Sequence, residues 1–127
     1  MGTAITIAIQ GQRFPAELND SPAAAELLQL LPLELRMSRW GEEYYGSCGL
    51  DMKLDSSARE LMEVGEIAFW PAGRALCFFF GPTPASSDER PRAASPVLPL
   101  GRFSGGVEGL KSLGSSIQAE IRRQAGR

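Results

Sequence analysis

The stretch WGEEYYG, residues 40–46, contains side chains that could do chemistry. The carboxyl group of Glu43 stands among the aromatic residues Trp40 and Tyr45, beside a glycine turn. Removal from water raises the pKa of a carboxyl group, so a glutamate at the mouth of an aromatic cleft could act as a general acid or base. The structural alternative is that the aromatic residues pack in the core or at its rim, while Glu43 pairs with an arginine or caps a turn.

A second group of candidate residues lies in FWPAGRALCFFFGPTP, residues 69–84. Trp70, Phe80 and Thr83 could form an apolar slot with a hydroxyl at its edge, which would suit a proline ring or another flat apolar group. The alternative, favoured for Phe80, is that these aromatic residues belong to the core. Trp70 stands at a predicted strand end next to Pro71, where its indole N–H can reach a partner.

Basic and sulfur-containing residues near these aromatic residues are few. Arg39 and Arg74 are the nearest side chains that could hydrogen-bond a ligand carbonyl, although a turn arginine such as Arg74 is more often a surface charge. Cys77 is predicted to be a small core residue, while Cys48 could be exposed. The sequence has no histidine. This excludes histidine-based acid–base catalysis and most zinc sites, and we predict neither a metal nor a cofactor.

The composition is that of a globular protein. The chain has 127 residues, of which 43% are hydrophobic and 22% charged, so we expect one domain over residues 1–127. The net charge of -2, without a basic block, argues against nucleic-acid binding. No apolar segment approaches the roughly 20 residues that span a bilayer. Without a signal-peptide pattern, we predict a cytoplasmic protein that is a monomer or a weak homodimer.

The first elements of the chain are clear in the hydrophobic pattern. Residues 3–9 place Ile5, Ile7 and Ile9 on one face, and the same spacing of large apolar residues resumes after Gly11, which predicts a β-hairpin. In the segment that follows, Ser21 can cap a helix, Pro22 suits its first position and Pro32 ends it. The remaining predicted elements are a strand at 33–39, short strands and turns at 41–57, a strand at 58–64 that the pattern does not distinguish from a helix, a long surface loop at 81–95, a strand from about 96 to 103, a short helix near 107–113 and a strand around 117–121.

A hairpin at residues 67–70 and 75–80 forms the centre of the predicted fold. At its corner Pro71 presets φ and Gly73 can adopt a positive φ. The second strand is apolar at every position, so neither of its faces can lie in water. This favours a closed barrel with helices packed over its outside. The fold class is therefore mainly β, with about eight short antiparallel strands and two short helices.

Three segments resemble the cyclophilin-like family of small uncharacterised bacterial and archaeal proteins. They are LLPLELRMSRWGEEYYG, EVGEIAFWPAGRALCFFFGPTP and ASPVLPLGRFSGGVEGLKSLG, and the resemblance runs from about residue 4 to residue 123. It implies a closed eight-stranded antiparallel β-barrel with short helices at its ends. Cyclophilins proper are peptidyl-prolyl isomerases with a carbonyl-binding arginine, an aromatic proline pocket and a nearby histidine, and this chain has no histidine.

Three functions follow from the resemblance and the candidate residues. The first is a barrel that binds a peptide or small ligand in a surface cleft without efficient catalysis, and the second is a weak peptidyl-prolyl isomerase that uses the same groove. The third is an enzyme on an unrelated substrate with Glu43 as the proton carrier. No catalytic residue is assigned. The candidate ligand-binding residues are Trp40, Glu43, Tyr45, Trp70, Arg74, Phe80 and Thr83.

Overall fold

The computed structural model describes residues 2–124. Met1 and residues 125–127 of the predicted domain lie outside the described residues. Nine strands and two helices make up the fold. The strands are β1 Thr3–Ile9, β2 Gln12–Leu18, β3 Leu33–Arg39, β4 Glu43–Ser47, β5 Arg59–Leu61, β6 Glu66–Trp70, β7 Ala75–Phe79, β8 Arg92–Phe103 and β9 Ser116–Arg123; the helices are α1 Pro22–Leu30 and α2 Glu108–Lys111.

Eight of these strands form a closed antiparallel barrel, as the sequence predicted. Their order is β2-β1-β9-β3-β4-β7-β6-β8, and β8 pairs back onto β2. The closing contact sets Ala16 opposite Phe103 and Leu18 opposite Gly101. The ambiguous segment at 58–64 contains a strand, β5, which pairs with the first half of β8 and takes no part in the closure.

Both helices pack against the inside of the barrel. The Ser21 side chain accepts a hydrogen bond from the Ala24 backbone N–H at 3.2 Å, which gives α1 the predicted cap. Leu27 of α1 and Leu110 of α2 are buried in the same cluster as the inward-facing strand residues. The predicted helical cover of the outer face is therefore wrong, because the helices contribute to the interior. Neither helix is long or apolar enough to cross a membrane.

Strand β7 is buried on both faces, as its apolar sequence predicted. Leu76 and Phe78 face the interior and join the larger buried cluster, which we call the inner core. Cys77 and Phe79 face outward into a smaller cluster, which we call the outer cluster. The outer cluster consists of Met62, Ala68, Cys77, Phe79, Ala93 and Val97, with Tyr45 and Trp70 packed against it.

Part of the cover over the outer face comes from a segment that the sequence assigned to a loop. Strand β8 begins at Arg92, so the segment that follows β7 ends at residue 91 and not at residue 95. Ala93 and Val97 of this strand are buried in the outer cluster. The sequence interpretation missed the start of this strand because the stretch contains polar residues and prolines. Proline cannot donate a hydrogen bond to a β-ladder and is therefore not typical of a strand.

The corner between β6 and β7 is a single 3₁₀ turn, Pro71–Gly73. The left-handed conformation belongs to Arg74, at φ 50°, so the prediction of a positive φ at Gly73 is wrong. Gly73 is needed for another reason. A Cβ atom at this position would lie 2.6 Å from two carbons of the Trp70 ring, so the absence of a side chain lets the indole lie against the turn.

Candidate functional site

A cavity of about 240 Å³ lies on the outer face of the barrel, among β4, β6 and β8. Its surface is mostly apolar. It exceeds a cavity of roughly 150 Å³ that holds benzene, and falls just below the roughly 300 Å³ at which drug-sized sites begin. A single ring or a branched alkyl group would fit. The lining residues are Trp40, Glu43, Tyr45, Trp70, Ala93, Ala94 and Val97.

The alternation of β4 decides which side chains reach the cavity. Tyr44 points into the barrel, stacks on Phe80 at a centroid distance of 5.4 Å and donates its hydroxyl to the Gly114 carbonyl at 2.6 Å. Its neighbours Glu43 and Tyr45 therefore point outward, because successive side chains of a strand face opposite sides. Both line the cavity.

Two aromatic rings meet at a right angle beside the cavity. The Trp70 indole N–H donates to the Ser95 hydroxyl at 2.6 Å, which gives the indole the hydrogen-bond partner expected of it. The rings of Tyr45 and Trp70 are 6.3 Å apart, with an interplanar angle of 86°. These contacts, with Gly73 beneath the indole, fix two adjoining walls.

Glu43 supplies the one carboxyl group that lines this cavity. It is only 5% exposed, and its Oε1 has no hydrogen-bond partner among residues 2–124. Within the same part of the chain it forms no ion pair, so the alternative of an arginine partner does not hold. Burial raises the pKa of Glu43 to about 7, and the neighbouring Cys77 thiol opposes part of this rise. Glu43 can therefore exchange a proton near neutral pH.

The thiol of Cys77 is not a reactive group. It is fully buried, and desolvation raises its pKa well above the ordinary value, with a further contribution from the charge of Glu43. A thiolate is therefore disfavoured at neutral pH. Cys48 is also buried, so the prediction that it could be exposed is wrong.

Phe80 and Thr83 lie away from the cavity. Phe80 belongs to the inner core, as the structural alternative proposed. Thr83 is buried and donates its hydroxyl to the Arg92 carbonyl at 2.5 Å, while its backbone N–H donates to the Ser86 hydroxyl at 2.9 Å. Thr83 thus ties the segment after β7 to the start of β8. The two residues do not form a slot with Trp70.

The two candidate arginines also lie elsewhere. The Arg39 guanidinium donates to the carbonyls of Gly41, Lys111 and Leu113, so its hydrogen bonds join the β3–β4 turn to the end of α2. Arg74 is a surface charge, with a side chain that is 67% exposed and 3.7 Å from the carboxyl of Asp51. No arginine of residues 2–124 lines the cavity.

The sequence interpretation missed the wall that β8 provides. Ala93, Ala94 and Val97 line the cavity; the two alanines fall within the segment assigned to a loop, whereas Val97 falls within the strand predicted from about residue 96. The only sequence signal of the two alanines is small size, since alanine at such positions leaves space that a larger residue would fill. Among the described residues, no group of three or more cysteine, aspartate or glutamate side chains is placed to hold a metal ion.

Comparisons with known proteins agree with the barrel. The family model described as Cyclophilin-like matches residues 3–122. The solution structure of a hypothetical protein from Archaeoglobus fulgidus superposes with a TM-score of 0.80 at 29% sequence identity, covering 96% of this chain and 95% of that one. A search of curated proteins finds no match.

Proposed function

The chain belongs to the cyclophilin-like family, and we propose that its outer-face cavity binds a small ligand or a peptide side chain without efficient catalysis. One observation carries this proposal: an apolar cavity holds a buried carboxyl oxygen without a hydrogen-bond partner. An unpaired buried acceptor costs about 1–3 kcal/mol, and a bound donor would recover that cost. Apolar walls with one placed polar group are typical of small-molecule sites.

A weak peptidyl-prolyl isomerase is the alternative use of the same cavity. Its size and its aromatic walls would accept a proline ring. A rate gain of about 10⁵ requires about 7 kcal/mol of transition-state stabilisation, however. Arg39 and Arg74 are both placed away from the cavity, so the carbonyl contact of a true cyclophilin lacks its usual donor. Binding without fast catalysis is therefore the better proposal.

An enzyme with Glu43 as the proton carrier is a second candidate function. The observation in its favour is the pKa of Glu43, which burial raises to about 7. A group with a pKa near the working pH is the most effective general acid or base. For any reaction found at this cavity, Glu43→Gln should abolish the limb of the pH–rate profile near neutral pH. A profile that Glu43→Gln leaves unchanged would exclude this function.

Amide chemical-shift mapping against proline peptides and small metabolites tests the binding proposal. We expect a ligand to move the signals of Trp40, Tyr45 and Trp70, including the indole N–H. Ala94→Leu should fill the cavity with little effect on folding, because Ala94 is exposed at its edge. We expect this variant to weaken binding by about tenfold or more, since the added volume overlaps the ligand.

The matched control is Ala4→Leu, which enlarges an exposed alanine of β1 away from the cavity. Its ligand affinity should equal that of the parent protein. Binding that moves signals only elsewhere, or that Ala94→Leu leaves intact, would exclude the cavity as the site. For the isomerase alternative, acceleration of prolyl isomerisation should be lost in Trp70→Ala and kept in Ala4→Leu.

The proposed protein is one cytoplasmic domain over residues 1–127, monomeric or weakly dimeric. The scatter of exposed apolar side chains supports the monomeric or weakly dimeric state. Among residues 2–124, the large hydrophobic residues that are exposed are Leu30, Leu54 and Val64, each on a different segment. Stable dimers bury a contiguous surface of about 800 Å² per partner. Analytical ultracentrifugation should therefore find a monomer at micromolar concentration.

A further inference from the structure

We propose that the cavity selects an alkylammonium group, meaning a protonated amine that carries small alkyl substituents and at least one N–H. This inference rests on the proposed function, because it names the chemical class of the ligand for the same cavity. Three independent features of the site support it: the aromatic walls, the unpaired carboxyl oxygen and the small apolar wall of β8.

The aromatic walls offer π-surfaces to a cation. Trp40, Tyr45 and Trp70 all line the cavity, and the last two rings stand at 86° to one another. Cations bind over aromatic faces, and walls at right angles can contact one cationic group from two sides. Within residues 2–124, both cation–π contacts involve Arg39 and the rings of Tyr44 and Phe80. The rings at the cavity therefore have no cation of the protein over them.

Glu43 supplies the acceptor for the ammonium N–H. Its Oε1 is buried without a partner, and the residue lines the cavity. A charge-assisted hydrogen bond to a carboxylate is about twice as strong as a neutral one. It would also compensate the charge that burial makes costly. A neutral donor would satisfy the oxygen and leave the negative charge uncompensated, so the carboxylate favours a cation.

The alkyl substituents would contact the β8 wall. Ala93, Ala94 and Val97 present only apolar side chains to the cavity. These residues leave space for methyl or methylene groups beside the nitrogen. An inorganic cation would gain nothing from this wall and would lack the several oxygen ligands it requires. The wall therefore favours an organic cation.

The charged and titratable groups around Glu43 are few, which makes the pH dependence interpretable. Strand β7 contributes the Cys77 thiol, whose raised pKa keeps it neutral, and β4 itself contributes Tyr45. The cavity residues of β6 and β8 carry no charge, and neither does Trp40. The pKa of Glu43 is about 7. Ammonium binding needs the carboxylate, so affinity should fall about tenfold per pH unit below that value and level off above it.

A pair of isosteric probes tests the inference. The cationic probe is N,N-dimethyl-γ-aminobutyramide, and the neutral probe is the same amide with CH in place of the ammonium N–H. We expect the cationic probe to bind at least about tenfold more tightly than the neutral one at about pH 8, by chemical-shift titration. Its affinity should fall by about fivefold from about pH 7 to pH 6, because the carboxylate fraction falls from about one half to about one eleventh. Glu43→Gln should remove the pH dependence and reduce the preference for the cationic probe to what the aromatic rings alone provide.

Several results would overturn the inference. Equal affinity for the two probes would do so, as would tighter binding of the neutral probe or an affinity that rises as the pH falls. If the cavity binds only the neutral probe, the ammonium assignment is wrong, while the proposed binding function is still supported. If neither probe binds, the inference fails, and the metabolite and peptide library separately decides the binding function. If Glu43→Gln fails to fold, the pH dependence of binding by the parent protein still tests the carboxylate, and Ala94→Leu, which should weaken binding of the cationic probe by about tenfold or more, tests the cavity as its site.

The same chemistry could come from a free amine or from a methylated lysine side chain. A short peptide with a dimethyllysine residue carries the headgroup of the cationic probe on a peptide backbone. Binding of this peptide at least as tight as that of the free probe would support the inference and identify a protein side chain as the source. Binding of the free probe alone would also support it and identify a small metabolite.

Discussion

The two faces of β7 border two apolar regions that are built differently. In the inner core, large rings contact each other, the barrel and both helices surround them, and the one buried hydroxyl, that of Tyr44, has a partner. The outer cluster has a thinner cover, which Met62 provides from the connection between β5 and β6, and Ala93 and Val97 from β8. It leaves a cavity and an unpaired carboxyl oxygen. We therefore expect stability to be concentrated inside the barrel, while the candidate site occupies the incompletely packed face.

The largest expected effect is the loss of stability when one of two neighbouring phenylalanines, one in each region, is replaced by alanine. Phe78 and Phe79 are both fully buried, but Phe78 faces the inner core and Phe79 the outer cluster. Phe78→Ala should lower the free energy of unfolding by about 4 kcal/mol, because the rigid interior cannot collapse onto the lost ring. Phe79→Ala should cost less, about 2–3 kcal/mol, because the flexible Met62 side chain can move into the space.

Urea denaturation of both variants measures these losses. Exposure alone predicts equal losses, since neither side chain contacts solvent. Equal values would therefore contradict the proposed contrast between the two regions. A larger loss for Phe79→Ala would reverse it and place the tighter packing outside the barrel.

The second largest expected effect is a pH dependence of stability that arises from Glu43, which lies in the outer region. The pKa of Glu43 is about 7 in the folded protein, against 4.5 for the unperturbed group. The folded state thus binds this proton more tightly than the unfolded state, so the free energy of unfolding should decrease as the pH rises through this interval. The total decrease is about 3 kcal/mol, and it should be nearly complete by about pH 8, one unit above the folded-state pKa. Glu43→Gln should remove this decrease.

The measurement is urea denaturation at about pH 5 and pH 8, where most of the decrease should appear. Glu42→Gln is the matched control, because Glu42 is the preceding residue and its side chain is 30% exposed near Arg39 and Lys111. That variant should keep the pH dependence of the parent protein. If Glu43→Gln also keeps it, the carboxyl group titrates at its ordinary value and is not desolvated.

The inner region could be predicted from the sequence because its signals are local. A strand that is apolar at every position, Leu76 to Phe80, requires cover on both faces. Ser21 and Pro22 marked the start of α1 within the chain segment that forms it. Alternating isoleucines in β1 fixed the face that enters the core. Each of these features depends on neighbouring residues, so the pattern was sufficient.

The outer region was predicted only in part because its second wall depends on distant pairing. Trp40, Glu43 and Tyr45 share one short stretch, and their grouping was visible in the sequence. Ala93 and Val97 reach the site because β8 pairs with β5 and with β6, which lie some thirty residues earlier in the chain. Neither alanine nor proline signals a strand. The space that forms the cavity therefore has no local signature.

The smallest expected effect is that of a substitution at Gly73, which should disturb the outer region and leave the inner core unchanged. A methyl group there would lie 2.6 Å from the Trp70 ring, while the indole is held by Ser95 and Tyr45. Gly73→Ala should therefore tilt the ring and destabilise the protein by only about 1 kcal/mol, as typical strain from one added methyl group. The Trp70 indole N–H signal should move, and ligand affinity at the cavity should fall. The Tyr44 and Phe103 ring signals should stay in place, because these rings belong to the inner core. Gly105→Ala is the matched control, because a Cβ atom there meets nothing within 4 Å. An equal response in that variant would show that the change at Gly73 does not act through the indole.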